Sequence, residues 1–127
     1  MSISGKSILP KISDMELLTR LNHIHSSGEF RSIINENENV MISCGRMGPM
    51  CVPVYAAMEI LRGQFPHVAF WDMSFDHPDA HVIRDLPECW GFMGLPFNVY
   101  FKDGRVVRAT SSIQTQYQVE SILKELF

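Results

Sequence analysis

The 127-residue chain lacks an excess of positive charge, a long apolar run and an even set of cysteines. Its net charge is −3 and no basic cluster interrupts it, so neither nucleic acid nor an anionic membrane is an expected partner. No stretch is apolar enough over enough residues to span a bilayer, and "MSISGKSILPKISD" at the start has no leader-like apolar core. A cytoplasmic location is expected. Three cysteines cannot all pair within one chain. In a reducing compartment, close cysteines more often serve redox or metal chemistry than structure. No glycine-rich phosphate loop, Ser-His-Asp pattern, internal repeat or long linker is present, and no cofactor is expected. What remains is an ordinary globular composition, 46% hydrophobic and 20% charged, in a chain sized for one domain, residues 1–127.

Local patterns give an order of elements. Ser13 with Glu16 three residues on is a capping-box pattern, and predicts a short helix with Met15, Leu18 and Leu21 on one face. "LNHIHS" alternates as a strand, "GEFRSIINEN" reads as a helix, and "NVMIS" as a buried strand. Val54, Met58 and Leu61 repeat at helical spacing up to Gly63. "HVAFWDM" is a strand and "HPDAHVIRDL" a short helix. "PFNVYF" and "RVVRA" are strands joined by the hairpin signal "KDG". "QTQYQVESILKELF" is amphipathic, with Val119, Ile122, Leu123 and Leu126 on one face. Early strands separated by helices pair in parallel, and the late hairpin is antiparallel. The fold class is therefore α/β: a central mixed sheet flanked by helices on both faces.

"WGFMGLPFNVYFKDGRVV", Trp90 to Val107, resembles the aromatic-Gly-x-x-Gly-Ile-Pro-Thr segment, strand and hairpin of the thioredoxin family. The first half, from Val40 through Gly48-Pro49 to Trp71, falls into the same register without a gap. The resemblance covers Leu21 to Phe127, with residues 1–20 as an N-terminal extension carrying the extra helix and about five added residues between Ser74 and Trp90, by comparison with the family. It implies a thioredoxin-like fold in which Leu95-Pro96 takes the place of the family's cis-proline pair. It also places Met47-Gly48-Pro49-Met50 where the family has Cys-Gly-Pro-Cys. Arg46 stands for the preceding tryptophan, and Met41 for the buried aspartate that assists proton transfer. A thioether cannot ionise, and thiol–disulfide exchange needs a thiolate, so the family's usual dithiol chemistry cannot run at positions 47 and 50. The retained half of the site, Met93, Leu95 and Pro96, implies an edge along which an extended client peptide pairs.

Cys44 and Cys51 bracket the altered loop. Several readings stand side by side: a Cys44–Cys51 redox couple acting on a protein thiol or disulfide, as an unusual thiol–disulfide oxidoreductase; a single reactive Cys51; inert thiols in a redox-inactive module that binds a partner protein or client; and, least favoured, a Cu(I) site built from Cys44, Met47, Met50, Cys51 and Met93. Pro53 makes the helix start ambiguous. A start at Pro49 puts it in the second turn, where it costs a donor, whereas a start near Val52 suits it. His77 and His81 are read as a solvated helix face. His23 and His25 share a strand face without a visible partner. Cys89 is read as a small buried apolar residue, and Trp71, Trp90 and Phe101 as core.

Overall fold

A computed structural model describes residues 16–127. Five strands form one sheet: β1 (Asn22–Ile24), β2 (Asn39–Gly45), β3 (Ala69–Ser74), β4 (Phe97–Lys102) and β5 (Arg105–Ser111). Their spatial order is β1-β3-β2-β4-β5. β1, β3 and β2 run parallel, while β4 pairs antiparallel with β2 and with β5. Asp103 and Gly104, both at positive φ, make the tight turn between β4 and β5.

Four helices cover the sheet: α1 (Ser27–Glu36), α2 (Val52–Leu61), α3 (His81–Arg84) and α4 (Gln116–Leu126). Ser26 caps α1 by accepting from Glu29 N, and Thr115 with Gln118 forms a full capping box on α4. α2 and α4 bury Val54, Met58, Leu61, Val119 and Leu123 against Met41, Phe70 and Tyr100 of the sheet. α1 and α3 bury Phe30, Ile33 and Ile83 against Val40, Ile42, Val99 and Phe101 on the other face. The alternation of β2 explains the division, since odd-numbered side chains meet α2 and even-numbered ones meet α1.

The helix expected from Ser13 begins outside the described residues, and its described part, residues 16–21, is a series of bends. Side-chain partners take the backbone donors there. Leu18 N donates to Met47 Sδ at 3.3 Å, Arg20 N to Glu59 at 2.7 Å, and Leu21 N to Thr19 Oγ1 at 3.1 Å. Leu17 and Leu21 still reach the core beneath α2. The two-part start expected for α2 resolves in favour of Val52: Pro53 lies in the first turn, and Cys51 is the N-cap residue.

Candidate functional site

The site centres on the end of β2. Gly45 has no side chain, and three groups converge where one would be. A Cβ there would lie 2.5 Å from Tyr55 Oη, 2.8 Å from Cys51 Sγ and 3.0 Å from Pro96 Cβ. The Leu95–Pro96 peptide is cis. Tyr55 Oη donates to Arg46 O at 3.0 Å, which ties helix α2 to the loop before it. Burial, followed by the Cys51 thiol beside it, raises the Tyr55 hydroxyl above the ordinary tyrosine range. Gly48 O accepts from both Cys51 N, at 3.1 Å, and Val52 N, at 2.9 Å, so the loop turns directly into the helix.

The three cysteines are free and buried. Cys51 belongs to the cluster under α2, whereas Cys44 and Cys89 belong to the cluster under α1 and α3. Cys44 and Cys51 therefore lie on opposite faces of the sheet, with no bond between them. Burial pushes the Cys44 thiol far up and the Cys89 thiol up to about 11.

Met47 and Met50 are each 44% exposed, and Met93 is 97% exposed. Arg46 holds the loop through a forked pair with Asp76, Nε at 2.8 Å and Nη2 at 2.9 Å, and its guanidinium sits over the Phe75 ring, 5.5 Å from the centroid. That pairing raises Arg46 and lowers Asp76 from their ordinary values. The backbone of Met93, Gly94 and Leu95 has no hydrogen-bond partner among the described residues, while Pro96 O accepts from Ser112 N at 3.0 Å. Trp90, read as core, is 72% exposed. The 3-10 turn of Pro87–Cys89 points Cys89 inward and carries Trp90 outward, where its indole N–H reaches Asp85 O at 3.2 Å.

Sequence reasoning passed over a polar row, buried at Asp72, Ser43 and Asn98, across the face that carries α2. In register, His23, Asp72, Ser43, Asn98 and Thr110 lie on successive neighbouring strands. His23 Nδ1 meets Asp72 Oδ1 at 2.6 Å, Thr19 Oγ1 donates to Asp72 Oδ2 at 2.5 Å, Ser43 Oγ donates to Asn98 Oδ1 at 2.8 Å, and Asn98 Nδ2 donates to Thr110 Oγ1 at 3.2 Å. Burial raises the Asp72 carboxyl above its ordinary range, against the lowering effect of its Thr19 and His23 bonds. The face that lost an acid at Met41 thus carries one a strand away. A lone aspartate inside the apolar run "VAFWDM" was the available signal. His23 and His25 do find partners, Asp72 and Glu16. His77 is not on a helix face. It is 7% exposed, and its Nδ1 accepts Asp79 N at 3.0 Å at the start of the 3-10 turn Pro78–Ala80.

Among the described residues no group of three or more His, Cys, Asp or Glu is arranged to hold a metal ion. No described helix is long and apolar enough to cross a membrane.

No family model matches the sequence, and no curated protein does. Solved structures do match the fold. Plasmodium falciparum thioredoxin superposes with a TM-score of 0.72 at 17% identity, over 84% of this chain and 100% of that one. Oxidized mitochondrial thioredoxin 3 from Saccharomyces cerevisiae gives 0.67 at 21%, over 84% and 95%. A mutant thioredoxin from Halobacterium salinarum gives 0.66 at 17%, over 87% and 95%. With the sheet order, the four flanking helices and these superpositions together, the chain is a thioredoxin-fold protein.

Proposed function

We propose that the protein acts in thiol–disulfide chemistry on protein clients, with Cys51 as the exchanging sulfur and Met93–Pro96 as the client edge. The observation that carries this is the convergence of the Cys51 sulfur, the Tyr55 hydroxyl and the Pro96 ring on Gly45. A client strand pairing with the unpartnered backbone before Pro96 passes the end of the loop that covers this sulfur. In the proposed step Cys51 loses its proton to solvent and attacks a client disulfide. The Cys51–client disulfide forms and the second client sulfur leaves as a thiolate. Cys44 lies across the sheet, so a thiol from outside the chain performs the release. Met47 and Met50 take no part in exchange and supply adaptable apolar contact. A Cys44–Cys51 couple would require the end of β2 to turn over, which makes it the less economical form of the same chemistry.

The test is reaction of the native protein with a peptide disulfide, followed by peptide mass mapping. An adduct at Cys51 that survives Cys44→Ser and disappears in Cys51→Ser supports the proposal. Mapping to a Cys44–Cys51 bond restores the couple. No adduct at any thiol under native conditions rejects both.

A second reading, a redox-inactive client-binding module, draws on one specific contrast. The thiols are buried, whereas Met47, Met50, Met93 and Trp90 are exposed. Client binding that is unchanged in Cys51→Ser, with no adduct in the wild type, selects it.

A further inference from the structure

A groove of about 630 Å³ opens at the carboxyl ends of β1 and β3, and none of the three cysteines lines it. Its apolar part is Leu17, Ile24 and Pro78, and its polar part is Glu16, Asp72, Asp79, Ser74 and three histidines, 23, 25 and 77. No lysine or arginine lines it. Its place is adjacent to the proposed client site. Ser74 is the register partner of Gly45, Phe75 N donates to Gly45 O at 2.8 Å, and Asp76 of the same loop holds Arg46.

Two of the groove's ring nitrogens, Nε2 of His77 and Nε2 of His23, have no hydrogen-bond partner among the described residues. His77 is more than nine-tenths buried, and because its Nδ1 accepts Asp79 N, its neutral ring carries the proton on Nε2. His23 faces the Asp72 carboxylate through Nδ1, so its neutral ring offers a lone pair on Nε2. The groove thus presents one N–H donor, one nitrogen acceptor and carboxylates at Glu16 and Asp79 above an apolar wall. Bonds from His25 and from Ser27 N hold those two carboxyls below their ordinary range, so both are charged at neutral pH.

We propose that this groove recognises a basic side chain, lysine or arginine, of the polypeptide client. The aliphatic stem lies on Leu17, Ile24 and Pro78, and the cationic head meets Glu16, Asp79 and His23 Nε2. The His77 N–H donates to a client carbonyl. The assignment names the client chemistry for the reading above and rests on it for the word client, but not for the binding itself.

The probes are two cysteine-free heptapeptides that differ only in lysine against norleucine at the central position, with n-butylammonium as a free amine. They are titrated onto the full chain at pH 7.5 and low salt, followed by affinity and by the amide signals of Ile24, Ser74 and Asp79. The lysine peptide should bind about tenfold tighter, the worth of two exposed charge pairs. Glu16→Gln and Asp79→Asn should each reduce that preference to about threefold without changing norleucine-peptide affinity. Equal affinity for the two peptides, or a preference that survives both substitutions, overturns the proposal. Butylammonium binding as tightly as the peptide overturns the polypeptide assignment. Because the probes carry no sulfur, none of these outcomes depends on whether Cys51 exchanges.

Discussion

The two faces of the sheet have the same strands between them and different chemistry on them. Under α1 and α3, Cys44 and Cys89 belong to one apolar cluster with Ile42, Val99, Phe97 and Ile83, and Cys44 has no exposed surface. Under α2 and α4, Cys51 sits at the margin of the core, above a hydrogen-bonded polar row and beneath an exposed loop. Strand alternation assigns Cys44 to the α1 face, whereas Cys51 reaches the other face from the N-cap of α2 and Cys89 joins Cys44 from the 3-10 turn. A cysteine near an expected active loop is therefore not yet an active-site cysteine. Its side-chain direction decides whether it joins the site or the filler behind it.

The comparison breaks first at Gly45. Gly45→Ala inserts a methyl group into contacts of 2.5–3.0 Å that involve a helix, a loop and a proline ring. Urea unfolding should show a loss of about 3 kcal/mol, near the upper end for overpacking. A loss below about 1 kcal/mol, ordinary for a tolerant site, would mean that the three groups do not converge as described.

Serine scanning sharpens the contrast between the faces. Cys44→Ser places a hydroxyl in a closed apolar core and should cost about 2 kcal/mol, the worth of an unsatisfied buried polar group. Cys51→Ser keeps Tyr55 Oη within reach and should cost about half as much or less. Equal losses in parallel unfolding curves would erase the distinction between the two sulfurs.

The smallest effect is in the pH dependence of Asp72. Burial raises its carboxyl, so the folded state holds the proton more tightly than the unfolded chain, whose value is 3.8. The resulting stability is fully present below that value and is lost as pH rises through the folded one. Asp72→Asn should therefore look worst, relative to wild type, at low pH, and its deficit should shrink as pH rises above 3.8. A deficit that grows with pH in urea melts would show that the His23 pair, rather than burial, governs the carboxyl.

Much of the fold was legible because its signals are local. The "KDG" turn, the apolar face of Val119, Ile122, Leu123 and Leu126, and the 3.6-residue spacing of Val54, Met58 and Leu61 each decide their element within a few residues. The described part of the predicted first helix failed for the opposite reason. Its backbone donors are taken by Met47 and Glu59, residues distant in sequence. Trp90 misled because size suggested burial, while the 3-10 turn before it sets the direction. The site was half legible. Resemblance brought the altered loop and Pro96 together, but it could not say that Tyr55 of α2 stands beside them, or that strand pairing sets Asp72 next to His23 and Ser43.

The polar row also acts on the order in which the chain can pair with itself. If β4 slid two residues along β2, side chains would keep their faces and the apolar core would tolerate the change. Asn98 would then lie opposite Met41 or Gly45, and Ser43 opposite Tyr100 or Pro96, leaving buried amide and hydroxyl groups without partners. Each such orphan costs about 1–3 kcal/mol, a large share of what a small domain has to spare. β1 has only Asn22, His23 and Ile24 with which to find its place, and the His23–Asp72 bond singles out one alignment among them. Hydrophobicity alone would leave these strands free to misalign, and the row of five polar side chains makes the sheet close in one way.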